Sequence, residues 1–285
     1  METNHTYIIR NMTPDEIENI AIEWAANEGW NPGLHDAACF ESADPKGFFV
    51  GLLNDLPIAC ISAVRYNSGF GFMGFYIVKP EYRGKGYGIK IWNVAMQYLQ
   101  NHNIGLDGVV EQQDNYRKSG FRLAYSNIRY EGFTQPVSAS FEDIVPFTPS
   151  LFEAVASYDR FCFPDERDVF LRCWLKQPDS ISLVATYHNE IAGYGVIRKC
   201  RNGYKIGPLF ANTAALADQL LRSLAGWAVP GKKFYLDVPE VNQKAVQLAE
   251  NHGMKKVFGT ARMYTIENPD IQLDKVFGVT SFELG

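Results

Sequence analysis

Tyr76-Ile77-Val78-Lys79-Pro80-Glu81-Tyr82-Arg83-Gly84-Lys85-Gly86-Tyr87-Gly88 decides how this chain is read. An apolar strand, residues 70–78, runs into it, and an amphipathic helix beginning near Ile89 runs out. Three alternate glycines and two cations, Arg83 and Lys85, fill the turn. A glycine has no β-carbon, so an anionic oxygen can come close to its backbone N–H. The first N–H groups of a helix lack partners inside it, and that end carries partial positive charge. A glycine turn feeding a helix N-terminus is therefore an anion site, and the pattern points to a phosphate-bearing ligand.

Spacing selects among the phosphate loops. A Walker loop needs Gly-Lys followed by Ser or Thr, whereas Gly84-Lys85 is followed by Gly86. A dinucleotide fingerprint needs G-x-G-x-x-G, and here the third glycine comes one residue early. What remains is Arg-Gly-x-Gly-x-Gly behind a strand ending Val78-x-Pro80. This resembles the acetyl-CoA loop of the GCN5-related N-acetyltransferases, the GNAT superfamily. The resemblance implies that the loop Arg83, Gly84, Lys85, Gly86, Tyr87 and Gly88 holds the pyrophosphate of acetyl-CoA. It also implies that the strand before the loop splays from its neighbour at a bulge. Tyr76, Ile77 and Val78 would then offer backbone groups to the pantetheine arm, and one N–H there would polarise the thioester oxygen.

The totals exclude several classes. A length of 285 residues suggests about two domains. A net charge of −5 with no Lys/Arg run argues against nucleic acid. No apolar run approaches the roughly 20 residues that span a bilayer, and Met1 to His5 lack an apolar signal core. The five cysteines include no C-x-x-C pair and read as reduced thiols of a cytoplasmic protein. The five histidines are scattered, so no metal is expected.

Residues 6–10 read as a strand, and Thr13-Pro14-Asp15-Glu16 as a capped helix start. A second short helix over 34–41 would follow. Residues 47–53 and 57–66 form a hairpin about Asn54-Asp55, 70–78 is the strand into the loop, and 104–110 and 122–130 are later strands. After a linker-like stretch the same order begins again, with strands over 141–147, 181–186, 191–199, 204–210, 233–238 and 256–265. This is an internal repeat of one architecture. The resemblance implies the fold class α/β (α+β): two tandem GNAT folds, each a mixed, mostly antiparallel twisted sheet flanked by helices. The expected division is 1–132 for the acetyltransferase domain, 133–139 for a linker, 140–267 for a degenerate second copy, and 268–285 for a tail packed on the body.

The second copy is similar to the YitH/HolE-type acetyltransferase domain. Where the first has its arginine and glycines, the second has Ile206-Gly207-Pro208-Leu209-Phe210-Ala211-Asn212-Thr213. It reads as a structural partner that builds a shared cleft.

Acetyl transfer needs an anchored donor, a neutral amine, stabilisation of the developing oxyanion and a proton for the leaving thiolate. Tyr116-Arg117-Lys118-Ser119-Gly120-Phe121 matches the family's Tyr-x-Lys-x-Gly-Phe, which implies that Tyr116 is the proton donor. The alternative is that Tyr116 packs against the adenine or the core. Many members carry a glutamate on the strand before the loop, but residues 70–76 hold no carboxylate. Water, Glu28, Asp36, Glu41 or Glu111 stand as candidate bases. Trp30, Phe48, Phe70, Phe72 and Phe75 are candidates for the acceptor pocket.

The resulting expectation is an acetyl-CoA-dependent N-acetyltransferase acting on a small amine or an exposed lysine, as a monomer or homodimer. A non-catalytic acyl-CoA sensor or scaffold, or transfer of another acyl group, is the alternative.

Overall fold

The computed structural model describes residues 6–136, 141–188 and 190–285. Met1 to His5, residues 137–140, which take in part of the expected linker, and Asn189 lie outside the described residues. The first half contains β1 (Tyr7–Asn11), α1 (Pro14–Glu16), a wider π-turn over Ile17–Ile22, α2 (Glu23–Asn27), α3 (Asp36–Ala43), β2 (Phe48–Leu53), β3 (Leu56–Arg65), β4 (Phe70–Val78), α4 (Tyr87–Tyr98), β5 (Asn103–Val109), α5 (Gln113–Lys118) and β6 (Arg122–Phe133). The second contains β7 (Ile144–Pro146), α6 (Phe152–Asp159), α7 (Asp168–Trp174), β8 (Ser180–Tyr187), β9 (Glu190–Lys199), β10 (Tyr204–Ala211), α8 (Ala214–Trp227), β11 (Lys233–Pro239), α9 (Gln243–Asn251), β12 (Lys255–Tyr264) and β13 (Val276–Gly278).

Local chemistry explains the boundaries. Thr13 and Glu16 form a reciprocal capping box, and Asn242 caps α9 through the N–H groups of Lys244 and Ala245. Asn54 and Asp55 both adopt positive φ, 48° and 65°, as a two-residue hairpin turn of the primed type requires.

All the strands join one sheet, in the order β1-β2-β3-β4-β5-β12-β6-β11-β10-β9-β8-β7, with β13 paired to β10. The fold is thus a mixed, mostly antiparallel α/β sheet, as expected. Its seam is an exchange. The last long strand of the second half, β12, lies between β5 and β6 of the first, and β6 lies between β12 and β11 of the second. Nothing in the order of elements along the chain announces this.

Packing follows the exchange. Under α4, Ile91, Trp92, Ala95 and Leu99 join Ala261 and Met263 from β12. Under α8 and α9, Leu220, Leu224 and Leu248 join Tyr130 from β6. On the opposite face a shared core gathers Phe40, Phe48, Phe72 and Phe75 with Phe152, Trp174, Tyr194, Phe210 and Leu284.

Three buried Arg–Asp pairs stitch the halves. Arg129 meets Asp237 with two bonds of 2.7 Å, Arg262 meets Asp107 at 2.8 and 2.6 Å, and Arg198 meets Asp36 at 2.8 and 3.3 Å. Each joins one residue from each half. Burial alone would raise the Asp237 carboxyl, but the Arg129 guanidinium overrides it and holds the group below its usual range.

The cysteines correct the reading of five reduced thiols. Cys39 on α3 and Cys173 on α7 are joined in a disulfide, while Cys60, Cys162 and Cys200 are free and buried. Among the described residues no helix is long and apolar enough to cross a membrane. No group of three or more His, Cys, Asp or Glu residues among them is placed to hold a metal.

Two measurements check this account. Thiol titration of the unfolded, unreduced protein should find three free thiols, and five after reduction. Asp237→Ala leaves the buried Arg129 without its partner and should cost about 3–5 kcal/mol in urea denaturation. A loss below about 1 kcal/mol would show that the seam does not depend on this pair.

Candidate functional site

The site begins where two parallel strands part. β4 and β5 pair from Phe70↔Asn103 to Met73↔Leu106 and no further. On the other edge of β4 the register with β3 shifts between Cys60 and Ser62, and Phe75 takes a φ of 48°. This bulge turns the second half of β4 away from β5. The Cys60 thiol donates to the Phe75 carbonyl at 3.2 Å and holds the turn.

Beyond the bulge, Lys79 N–H donates to the Ile58 carbonyl, and Ile77 stands opposite Cys60. Strand alternation then aims the peptide groups of Tyr76 and Val78 at the gap and those of Ile77 at β3. Sequence reasoning grouped all three; the backbone groups that face the gap belong to Tyr76 and Val78. Arg83 spans the mouth, with Nε donating to the Val78 carbonyl at 2.7 Å and Nη2 to Glu28 at 2.6 Å.

The glycine loop closes this end. Gly84 and Gly86 have φ of 73° and 82°, and nothing lies within 4 Å of where their β-carbons would be. Residues of alternating handedness turn successive N–H groups towards one point, and here that point adjoins the N-terminus of α4. Gly86 is the N-cap, and no side chain caps the helix. The twelve-residue helix therefore presents unpartnered N–H groups to the cleft.

A cleft of about 660 Å³ runs from this loop through the gap to the second half of the chain. Tyr76, Ile77, Val78, Arg83, Gly84, Gly86, Gly88 and Tyr116 line it. Lys85 and Tyr87 do not. Lys85 is exposed over the Tyr82 ring, and the Tyr87 ring packs on Tyr7 with centroids 4.9 Å apart. Tyr87 can contribute only its backbone.

Tyr116 stacks on Trp92 with centroids 5.7 Å apart, and its ring lies against Gly108 so closely that any β-carbon there would overlap it. Burial, with a smaller contribution from Tyr76, pushes the phenol up from 10.0 to about 12.

The far end of the cleft comes from segments that no local pattern connects: Trp30, Asp107, Arg129, Phe258, Thr260, Phe282 and Glu283. Of the aromatic residues expected there, Trp30 lines the cleft and Phe75 borders it from the core, whereas Phe48, Phe70 and Phe72 are core alone. The candidate bases are corrected too. Glu28 lines the cleft but pairs with Arg83. Asp36 is buried against Arg198, and Glu41 lines a different groove. Glu111 is exposed and outside the cleft lining. The residue sequence reasoning missed is Glu283. Its signal was a lone acid in an apolar stretch, Val276 to Gly285.

The second half holds the same wedge, but filled. β10 and β11 pair from Tyr204↔Phe234 to Ile206↔Leu236, and the register of β10 with β9 shifts between Ile206 and Leu209. Into the gap goes β13, paired antiparallel to β10 through Leu209↔Gly278 and Phe210↔Val276. Val279 N–H then donates to the Asp237 carbonyl of β11 at 2.8 Å.

Comparison with known proteins agrees with this geometry. Residues 15–121 match the model of the acetyltransferase (GNAT) family, and residues 155–278 that of an acetyltransferase (GNAT) domain. The chain is 30% identical over 286 residues to a holothin acyltransferase of Pseudoalteromonas sp. (strain SANK 73390), covering 100% of this chain and 97% of that one. It is 25% identical over 189 residues to the uncharacterized N-acetyltransferase YitH of Bacillus subtilis (strain 168), covering 63% and 65%. In fold it is similar to a putative acetyltransferase from Pyrococcus horikoshii, with a TM-score of 0.83 at 23% identity over 100% of this chain and 99% of that one. It is also similar to a tandem GNAT protein from the clavulanic acid biosynthesis pathway, with a TM-score of 0.64 at 9% identity over 91% and 98%.

Tyr116 offers a direct check. The difference between wild-type and Tyr116→Phe ultraviolet titrations should show no phenolate until the pH approaches about 12. The folded-state value lies above that of a free phenol, so this group's contribution to stability is intact below about pH 10. It should fall as pH rises from 10.0 towards 12. Ionisation near 10 would mean that the ring is in water.

Proposed function

The chain belongs to the GNAT acetyltransferase family and is an acyltransferase, and on that premise we propose that it transfers an acetyl group from acetyl-CoA directly to a primary amine, with the coenzyme bound in the first half. The observation that carries this reading is the open wedge between β4 and β5, with an uncapped helix and a glycine loop at one end and a half-buried phenol on its wall. A pyrophosphate fits the loop amides and the positive end of α4. An extended pantetheine arm fits the free peptide groups of Tyr76 and Val78, where it replaces the contact from Arg83.

The thioester then lies where the strands part. A backbone N–H of the splayed segment donates to its carbonyl oxygen as negative charge develops. The amine nitrogen forms the C–N bond, the C–S bond breaks, and Tyr116 O–H protonates the leaving sulfur. Burial makes the phenol a weaker acid, but a thiolate in the same dry cleft is raised by the same burial, so the two stay matched closely enough for transfer.

The strand β13 in the other wedge supports one coenzyme per chain. The relative named holothin acyltransferase aligns over the full chain and supports transfer over sensing. The acceptor is a small amine or an exposed lysine.

Calorimetry should find one acetyl-CoA per chain, and Gly86→Val, which forces a branched side chain to positive φ, should weaken it at least tenfold. Release of coenzyme A thiol against a panel of amines tests turnover. Tyr116→Phe should lower kcat about 10²-fold while the acetyl-CoA Kd stays within about twofold. No binding heat, or thiol release indifferent to every amine, would overturn the reading.

A further inference from the structure

The cleft lacks a carboxylate on β4, and the segment after β13 supplies one. Glu283 lines the cleft and is 4% exposed. Its backbone carbonyl sits against Gly74, in the stretch just past the last β4–β5 pair, so closely that no other residue fits at 74. The segment is firmly held: Tyr66 O–H donates to the Leu284 carbonyl at 3.0 Å, and Leu284 N–H donates to Ser281 Oγ at 3.1 Å.

Three carboxylates line this cleft. Glu28 is paired with Arg83 and Asp107 with Arg262. Among the described residues, the Glu283 carboxylate has no hydrogen bond and no ion pair within 4.0 Å. A buried carboxylate without a donor is costly unless something offsets its charge or a ligand completes it. The charges that act on Glu283 are Arg129 from β6, Arg198 from β9 and Lys205 from β10. Arg129 is bound by Asp237, Arg198 by Asp36, and Lys205 Nζ reaches the Trp30 carbonyl at 3.4 Å. The buried Cys200 thiol is the remaining titratable group of this cluster. These cations are each held by another partner and leave the Glu283 oxygens free to meet a ligand. A second polar atom in the cleft wall is also without a partner, the buried Thr260 Oγ1 on β12. Two unpartnered polar groups in the wall of this cleft point to a polar ligand group between them.

We propose that Glu283 is the proton acceptor of the transfer reaction. Building on the function proposed above, the neutral amine attacks the thioester carbon, the C–N bond forms and the C–S bond breaks. The nitrogen, now bearing one proton too many, gives it to the Glu283 carboxylate, while Tyr116 gives its proton to the sulfur. Transfer from Glu283 to the Tyr116 phenolate through water restores both groups, so no proton is gained or lost. The acceptor's reacting nitrogen thus enters beside Glu283 and Thr260, at the end of the cleft that the second half builds. The second half contributes to catalysis although its own wedge is filled.

The test is Glu283→Gln, which keeps the shape and the backbone contacts. Its kcat should fall about 10²-fold or more, with acetyl-CoA Kd within about twofold of wild type. The acid limb of its kcat–pH profile should vanish. Glu283→Asp should keep the limb at an intermediate rate. A Gln variant within about threefold of wild type, or one that keeps the acid limb, overturns the proposal. If the Gln variant loses coenzyme binding, the Asp variant decides: wild-type kcat or a lost limb refutes the role. Wild type run in parallel separates the two levels. No thiol release with any amine sinks the proposed function, whereas turnover matched by Glu283→Gln sinks only the role of Glu283.

Discussion

The exchange of β6 and β12 across the seam is the constraint on which the rest depends. Each half lends a strand to the other, so neither α4 nor α8 can complete its core without residues from the opposite half. Two of the three Arg–Asp pairs, Arg129–Asp237 and Arg262–Asp107, sit along this join, and the third ties β9 to α3. Buried pairs add little net stability over apolar packing, but their fork geometry admits one register, and losing one partner is expensive. Their value lies in specifying which strand lies beside which. A one-residue slip of β12 would carry Arg262 away from Asp107 and turn it to the other face of the sheet.

The two wedges show how a duplicated architecture divides its labour. Both halves part their parallel strands at a bulge, because a bulge bends one strand while its outer edge stays paired. In the first half the free edge remains open to a ligand. In the second it is met by β13, which satisfies peptide groups that would otherwise be buried without partners. The same segment then runs on to seat Phe282 and Glu283 in the open cleft. One stretch of ten residues closes one site and furnishes the other.

Much of this was legible from residue order. The capping box at Thr13, the Asn54-Asp55 turn and the strand over 70–78 each follow from local chemistry. So does the glycine loop before α4, because glycine spacing and helix start are contiguous features. The aromatic candidates were only partly separable. Phe72 and Phe75 are three residues apart, so unbroken alternation would turn them to opposite faces; instead both enter one core, and Phe75 also borders the cleft, because the bulge at Phe75 breaks the alternation that pattern-reading assumes. The cysteines were misread for a related reason. Cys39 and Cys173 are 134 residues apart, and only the packing of α3 on α7 brings them together.

By itself the sequence determined the elements, their repetition and the place where a glycine loop opens a helix. These depend on interactions between residues a few positions apart. The tertiary structure alone decided that the halves trade strands, that one wedge is filled, and that Glu283 stands at the head of the other. These depend on contacts such as Glu283 with Gly74 and Arg262 with Asp107, 155 residues apart in the second case. Burial and charge balance in three dimensions choose such contacts, and no local periodicity records them.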